Sequence, residues 1–353
     1  MKTYKINAVY IEVTSRCNLS CPHCYNNSNS CSTSEMDLGQ ISHILTQCKV
    51  QGVRNVSFSG GEPLLWSNLI PAIKQASESD FNHIAIVSNG TLINEKKLNN
   101  ILKVADPKTL SFQLSLDGST QHSHELIRGP SSYQKLMIAV KLLSNYNLGY
   151  YFHSVIHKYN YTEIDRIIFL ARELKGRKVN FSMLKKYGRA TSTYDDIGLE
   201  KDELLKTYHI LNAMPKDNYV SFPSIYYGKC PIFDPSEETT IDLSIRIDVK
   251  GNVYACQNFN SEETSLGNIF SQDLNSIVNE TTIDNLSLKL QQYKINSHKC
   301  DQCFLNNQCN GGCPAIEYCT EYEGLYSIDC ELRRENIKKF ISEVACSEKI
   351  LQK

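Results

Sequence analysis

Three cysteines near the N-terminus have the spacing that holds a small metal centre. Cys17, Cys21 and Cys24 form a C-x3-C-x2-C array, which can place three thiolates on one centre. A cubane iron–sulfur cluster binds four ligands, so three local cysteines leave one iron open for a small molecule. The alternative is a zinc site, for which His23 inside the array is the candidate fourth ligand.

A second group of cysteines lies toward the C-terminus. Four of these thiols have the spacing C-x2-C-x5-C-x3-C, which by itself is also compatible with a structural zinc site. The candidate metal ligands of this group are Cys230, Cys256, Cys300, Cys303, Cys309, Cys313 and Cys330.

The composition restricts the class of protein. The chain has 37 Lys and Arg against 38 Asp and Glu, which argues against a protein that coats nucleic acid or binds a membrane surface. No apolar run approaches the roughly 20 residues of a membrane span, and the N-terminus lacks a signal peptide's apolar region. We therefore expect a cytoplasmic protein whose 14 cysteines are reduced and bind metal instead of forming disulfides.

Alternating strand and helix patterns place the first cysteines in an α/β fold. Residues 8–14 alternate apolar and polar side chains and predict a strand that ends just before Cys17. About six strand–helix units follow one another up to residue 184, which predicts a parallel sheet with helices outside it. Loops after parallel strands converge at one mouth, so the cysteines, the turn 59–63, Asn89 and Asp117 are expected to meet there.

The cysteine array and the motifs after it resemble the signature of the radical S-adenosylmethionine (SAM) superfamily. The turn 59–63, Ser-Gly-Gly-Glu-Pro, is similar to the family's second motif. The resemblance implies a partial (β/α)6 TIM-like barrel in which the three cysteines hold a [4Fe–4S] cluster, and SAM chelates the open iron through its amine and carboxylate. The turn residues that it implies to lie against SAM are Gly60, Gly61, Glu62 and Pro63.

Other residues resemble further SAM contacts of the family. Glu62 is expected to meet the ammonium group, Arg128 to pair with the carboxylate, and His23 to stack on the purine. Ser88 and Asn89, at the end of the third predicted strand, resemble the position that contacts the ribose. Asn-Gly and Asp-Gly are also common turn dipeptides, so an ordinary turn is the alternative interpretation of Asn89 and Asp117. The residues that complete the implied cofactor set are His23, Tyr25, Ser88, Asn89, Asp117 and Arg128.

The C-terminal cysteines resemble the SPASM extension of radical SAM enzymes, including Gly251-x4-Cys256 and the segment 311–314. The family pattern implies two auxiliary [4Fe–4S] clusters. One takes Cys300, Cys303, Cys309 and Cys330. The other takes Cys230, Cys256 and Cys313. Its fourth ligand is Cys319 or Asp234, or its iron stays open to a substrate thiolate.

The predicted domain organisation has two parts. Residues 1–205 are expected to form the radical SAM core barrel, 206–222 a linker, and 223–345 the SPASM domain with its auxiliary clusters. Within the second domain, residues 241–248 and 253–256 predict short strands that meet across a Lys-Gly-Asn turn.

The resemblance implies an enzyme that cleaves SAM reductively to a 5′-deoxyadenosyl radical and abstracts hydrogen from a ribosomal peptide, forming a thioether or another cross-link. The alternative is a sulfatase maturase that forms formylglycine. Such enzymes typically have an Asp directly after the cysteine of the Gly-x4-Cys step, where this chain has Gln257. Dehydrogenation of a small molecule is a further alternative, and outside the enzyme class the alternative is a zinc-binding adaptor.

The expected partners follow from this chemistry. They are a precursor peptide or protein substrate and an electron donor such as flavodoxin or ferredoxin, with neither nucleic acid nor membrane. The chain starts a few residues before its first predicted strand, so recognition of a leader peptide, if required, is expected from a separate protein or another surface.

Overall fold

The computed structural model describes residues 3–214, 217–221, 232 and 240–295. In this part of the chain the strands are β1 (Thr3–Thr14), β2 (Asn55–Gly60), β3 (His83–Ser88), β4 (Leu110–Ser115), β5 (Gly149–Ile156), β6 (Val179–Met183), β7 (Val220–Ser221), β8 (Thr240–Ile247), β9 (Asn252–Tyr254) and β10 (Gly267–Asn268). They form one sheet in the order β10-β9-β8-β1-β2-β3-β4-β5-β6-β7.

Helices connect most of these strands. They are α1 (Leu38–Val50), α2 (Leu69–Glu78), α3 (Glu95–Leu102), α4 (Gln121–Arg128), α5 (Ser132–Asn145), α6 (Ile164–Glu173), α7 (Ala190–Ile197), α8 (Lys201–Ala213), α9 (Leu274–Ile277) and α10 (Glu280–Ile295). None of the helices in the described residues combines the length and the apolar character needed to cross a bilayer.

The strands from β1 to β7 are parallel and lie in chain order. Helices lie between them in the sequence, which confirms the predicted α/β fold and its partial (β/α)6 barrel. Central strands are apolar on both faces because helices cover the outside and the interior is packed. In β3, for example, Ile84, Ala85 and Ile86 are consecutive and all buried.

The sequence patterns missed five helices of the described residues, among them α9 and α10, which follow β10. Helix α4 follows β4 directly, and α7 and α8 follow β6, where the alternation becomes irregular. Helix α4 has a low mean hydropathy and begins at a capping box made by Thr120 and Ser123. A short polar helix of this kind is defined by its cap more than by an apolar stripe.

The sheet also extends beyond the barrel on the other side of β1. Strand β8 pairs with β1 in parallel from Thr3–Thr240 to Ile11–Ile247, and this pairing explains why β1 begins at Thr3 and not at residue 8. The antiparallel β8–β9 hairpin was predicted, and Gly251 turns it with a φ of +88°. Its addition to the barrel sheet was not predicted. The domain limits at 205 and 223 stay a prediction.

Candidate functional site

The cysteine array forms a loop that directly follows β1. Cys17 and Cys21 are buried and Cys24 is half-buried. The loop backbone is held locally, since Cys17 N–H donates to Asn29 O (3.0 Å) and Cys24 N–H donates to Cys21 O (3.1 Å). Burial, together with nearby Glu62 and the other two cysteines, raises the pKa of Cys17 to about 12. The three thiols therefore lie within electrostatic reach of one another.

The donors available around the cysteine loop are the three thiols and, as the candidate fourth zinc ligand, His23. Within the described part of the chain, no three His, Cys, Asp or Glu side chains converge as the ligands of one metal ion do. His23, the candidate fourth zinc ligand, has its Nε2 atom 3.5 Å from Asp117 Oδ2 instead. In a cubane cluster each cysteine binds a different iron, so the thiols stay apart. His23 lies against Asp117, and the three cysteines are the donor set that a [4Fe–4S] cluster with one open iron requires.

The glycine turn after β2 packs against the start of the cysteine loop. A Cβ atom on Gly60 would lie 2.2 Å from Thr14 O, and one on Gly61 would lie 2.3 Å from Arg16 O. Gly61 N–H donates to Thr14 O (2.6 Å), and the next amide donates to Arg16 O (2.9 Å). The glycines are thus required for close approach of the cysteine loop itself, and their contact with SAM stays a prediction.

Glu62 is completely buried beside this turn and connects it to the end of β3. Its Oε1 accepts from Leu64 N–H (3.1 Å) and Ser88 Oγ (2.9 Å), and its Oε2 accepts from Asn89 N–H (2.9 Å). Burial raises the pKa of Glu62, although these hydrogen bonds oppose the shift. Pro63, also buried, begins the short 3-10 turn that positions the Leu64 amide.

The Asn89 side chain is directed at the cysteine loop. Its Nδ2 donates to Asn18 Oδ1 (3.1 Å) and lies 3.9 Å from Cys17 Sγ, while its Oδ1 accepts from Thr91 N–H (2.9 Å). Asn89 and Ser88 therefore lie at the mouth as predicted, and both are bonded to other site residues. The predicted ribose contact is compatible with this position.

Asp117 is the centre of a buried polar group at the ends of β4 and β5. Arg128 Nε lies 2.6 Å from its Oδ2, and Val155 N–H donates to its Oδ1 (2.7 Å). Burial alone would raise the pKa of Asp117, but the Arg128 guanidinium and the nearby histidines lower it well below its usual range. Asp117 is thus a carboxylate that fixes Arg128 in place.

Several neutral imidazoles surround this ion pair. Burial, aided by the Arg128 charge, lowers the pKa of His23 to about 3. Burial likewise lowers the pKa of His124, His153 and His157 to about 4. His23 Nδ1 and His157 Nε2 are buried without a hydrogen-bond partner among the described residues, and their rings lie 6.4 Å apart. The interior therefore offers unused polar atoms to a ligand.

The segment after β6 also holds the cysteine loop, and the sequence interpretation missed it. Arg189 donates to Cys21 O (2.7 Å) and Ser28 O (2.7 Å), and its amide donates to Cys24 O (2.9 Å). Gly188 has a φ of +55°, and a Cβ there would lie 2.2 Å from Tyr25 O. The available signal was a Tyr-Gly-Arg sequence soon after the sixth strand, at the same edge as the other site loops.

Tyr25 was predicted to bind the cofactor, but its hydroxyl group contacts Glu12 and not the cysteines. Its hydroxyl donates to Glu12 Oε1 (2.9 Å), although 37% of the residue is exposed. Burial of the hydroxyl and the adjacent Glu12 carboxylate raise the pKa of Tyr25 well above its usual value. A contact of the Tyr25 ring with the cofactor stays a prediction.

Of the C-terminal cysteines, Cys256 falls within the described residues. It follows β9, is half-buried, and its sulfur accepts from Asn258 N–H (3.4 Å). The other proposed auxiliary ligands and the two candidates for the open position lie outside the described residues: Cys230, Cys300, Cys303, Cys309, Cys313, Cys330, Cys319 and Asp234.

The chain matches curated proteins over most of its length. It is 24% identical over 318 residues to mycofactocin maturase MftC of Mycobacterium tuberculosis, covering 88% of this chain and 78% of that protein. It is 26% identical over 307 residues to the subtilosin biosynthesis protein AlbA of Bacillus subtilis, covering 86% and 66%. It is 28% identical over 205 residues to PqqA peptide cyclase of Gluconobacter oxydans, covering 57% and 56%.

Solved structures share the fold. Streptococcus suis SuiB bound to S-adenosylmethionine has a TM-score of 0.64 at 18% identity, covering 91% of this chain and 76% of that one. Native anSMEcpe with bound AdoMet has a TM-score of 0.66 at 18% identity, covering 96% and 99%.

Two family models match separate regions that together make up more than half of the chain. The model of the radical SAM superfamily matches residues 11–171, and the model of the SPASM iron–sulfur cluster-binding domain matches residues 240–304. The chain therefore belongs to the radical SAM superfamily and carries a SPASM iron–sulfur cluster-binding domain.

Proposed function

We propose that this enzyme is a peptide maturase that cleaves SAM to a 5′-deoxyadenosyl radical and abstracts hydrogen from a ribosomal peptide, forming a thioether or another cross-link. The observation that carries the proposal is the match along most of the chain to the mycofactocin maturase MftC and the bacteriocin biosynthesis protein AlbA, with PqqA peptide cyclase matched over 57% of the chain. A SuiB structure of the same fold contains the precursor peptide SuiA.

In this proposal Cys17, Cys21 and Cys24 hold the cluster. When bound, the cluster supplies the electron that breaks a carbon–sulfur bond of SAM. The buried position of two of the three thiols supports this assignment, since a radical generated there is shielded from water by the surrounding loops.

Arg128 is suited to bind the carboxylate of SAM. Its pairing with Asp117 engages Nε, and the guanidinium has two further nitrogens that can pair with a second carboxylate. Asp117 is completely buried and also bonded by Val155 N–H, so the guanidinium is held in one orientation before a ligand arrives. We assign Arg128 to carboxylate binding and Asp117 to its orientation.

Glu62 is assigned to the ammonium group of SAM. Its Oε2 accepts one hydrogen bond in the structure and has a further lone pair for a charged donor. Binding an ammonium group would also offset the burial that raises the pKa of Glu62. We further assign the ribose to Ser88 and Asn89 and the purine to neutral His23, whose Nδ1 is buried without a partner among the described residues.

The SPASM domain is proposed to hold two auxiliary [4Fe–4S] clusters. One would use Cys300, Cys303, Cys309 and Cys330. The second would use Cys230, Cys256 and Cys313, with Cys319, Asp234 or a substrate thiolate in its fourth position. When bound, these clusters would supply an acceptor for the electron left on the substrate after hydrogen abstraction, and we propose a flavodoxin or ferredoxin as the electron donor to the first cluster.

Formation of formylglycine is the second candidate, because sulfatase maturases are among the radical SAM enzymes with a SPASM extension that the cysteine pattern resembles. The residue directly after Cys256 is Gln257, which is exposed and has no carboxylate to act as a base. This position favours the peptide cross-link over formylglycine.

The test is anaerobic reconstitution followed by turnover. We expect about twelve irons per chain, whereas about four would remove the auxiliary clusters from the proposal. Dithionite and SAM should yield 5′-deoxyadenosine, and a variant with all three of Cys17, Cys21 and Cys24 changed to Ala should yield none. A precursor peptide should lose two hydrogen atoms in the mass spectrum. An aldehyde on a sulfatase peptide, with the precursor peptide left unchanged, would support the second candidate instead.

A further inference from the structure

Four residues form a closed ring of polar contacts between the cysteine loop and the SPASM region. Tyr25 Oη donates to Glu12 Oε1 (2.9 Å), and Arg246 Nη1 donates to the same oxygen (2.8 Å). Arg246 Nη2 lies 3.4 Å from Asn260 Oδ1, and Asn260 Nδ2 donates to Tyr25 O (3.1 Å). The ring therefore joins both the side chain and the backbone of Tyr25 to Arg246.

The ion pair inside this ring is among the most buried in the described residues. The Arg246 side chain is 2% exposed and that of Glu12 is 6% exposed. Arg246 also donates to Phe259 O (2.6 Å), and its guanidinium lies 4.2 Å from the centroid of the Tyr254 ring. A charge taken this far out of water is tolerated only when its partners are fixed, so the contacts of Arg246 define one geometry.

The positions of these residues in the chain give the ring its significance. Tyr25 directly follows Cys24, the third cysteine of the loop. Arg246 and Asn260 lie outside the region matched by the radical SAM model and inside residues 240–304, matched by the SPASM model. The segment that ends at Asn260 also carries Cys256, a proposed ligand of an auxiliary cluster.

We propose that Arg246, in the SPASM region, is a positioning residue for the cysteine loop. It fixes Glu12 and Asn260, and these two residues in turn fix Tyr25 and the end of the loop at Cys24. The proposal does not depend on the substrate. It requires that Arg246 on β8 and Asn260 hold the loop after Cys24. In the described part of the first 171 residues, no hydrogen bond to the Tyr25 backbone oxygen takes the place of the one from Asn260.

Hydrogen exchange of the full-length, cluster-loaded enzyme tests the proposal under anaerobic conditions. Arg246→Gln should accelerate amide exchange in residues 24–28 by about tenfold or more. The variant loses the charge-assisted hydrogen bonds of Arg246, so Glu12 and Asn260 no longer hold Tyr25 in one position. Tyr25→Phe removes only a hydroxyl and should accelerate the same amides. Arg246→Lys keeps the charge but has one nitrogen in place of the two that donate to Glu12 and Phe259, so it should give an intermediate rate.

Two control variants separate positioning from general loss of stability. Tyr254→Phe removes a hydroxyl bonded to Asp248 on the same hairpin and should leave exchange at 24–28 unchanged. Val179→Ala, in the buried part of β6, should lower the unfolding temperature without selective exchange at 24–28. The proposal is overturned if Arg246→Gln accelerates exchange at 24–28 no more than Val179→Ala does, or if Tyr25→Phe leaves it unchanged.

Discussion

Arg189 donates a 2.7 Å hydrogen bond to the carbonyl oxygen of Cys21, although the two residues are 168 positions apart in the chain. A second bond from the same guanidinium reaches Ser28 O, so one side chain spans the cysteine loop from its middle to its end. The loop is therefore not a local structure. It is held by the element that follows β6, and from the other side by Arg246.

Removing the Arg189 side chain should destabilise the cysteine loop. Arg189→Met loses two charge-assisted hydrogen bonds, which together stabilise the loop by about 2 kcal/mol or more. We expect less iron per chain after reconstitution and faster loss of iron to a chelator. Arg172→Met, which breaks an exposed ion pair with Asp217 at the far end of the sheet, is the control. Equal iron content in both variants would contradict the role of Arg189.

Loss of the Arg128 guanidinium should affect both stability and SAM binding. Arg128→Met leaves the buried Asp117 carboxylate without its ion pair, which should cost about 3 kcal/mol or more of unfolding free energy. The double variant Arg128→Met with Asp117→Asn should recover part of that stability, because no buried charge is left unpaired. SAM binding should stay weak in both, since neither has a guanidinium for the SAM carboxylate. Thermal unfolding and SAM titration measure the two effects separately, and full SAM affinity in the double variant would refute the assignment.

The buried histidines should make the protein less stable in mild acid. In the fold, the pKa of His124 and that of His157 are each lowered to about 4 from a usual value of 6.5. As the pH falls, these histidines bind protons in the unfolded chain before they do so in the folded protein. Their contribution to the free energy of unfolding is therefore complete above pH 6.5 and is lost toward pH 4. We expect a loss of about 1 kcal/mol for each histidine between about pH 7.5 and about pH 5.5.

Denaturant unfolding at these two pH values checks the histidine prediction. His157→Asn does not titrate and keeps an acceptor for Tyr159 N–H, so its stability should fall about 1 kcal/mol less than that of the unaltered protein. His122→Gln, at an exposed position, should not change the pH dependence. An unchanged pH dependence in His157→Asn would show that this imidazole does not contribute.

Two glycine substitutions separate backbone strain from contact with the cysteine loop. Gly52 and Gly188 both have positive φ, but a Cβ on Gly52 meets nothing within 4 Å, whereas one on Gly188 would lie 2.2 Å from Tyr25 O. Gly52→Ala should cost about 1 kcal/mol of stability through strain alone. Gly188→Ala should also reduce the iron content, because the loop must move. Iron analysis of both variants decides whether Gly188 acts through the loop.

The sequence alone identified the chemistry of this protein and the elements that carry it. The spacing of Cys17, Cys21 and Cys24, the glycine turn after β2 and the order of strands and helices are local patterns, readable without knowing which elements become neighbours. The ends of parallel strands meet at one mouth, so the proximity of Glu62 to Asn89 and of His23 to Asp117 followed from topology.

Tertiary structure alone decided what holds the loop. The Glu12–Arg246 pair joins residues 234 positions apart, and it exists because β8 adds to the sheet beside β1. The local sequence of Glu12 or Arg246 does not identify its partner. The backbone groups at a sheet edge can pair with many different strands, and the burial of side chains determines which strand pairs there. The contacts of Gly188 and Arg189 could not be predicted either. Both residues contact backbone carbonyl oxygens, which every residue of a chain has, so the sequence does not show which ones are contacted.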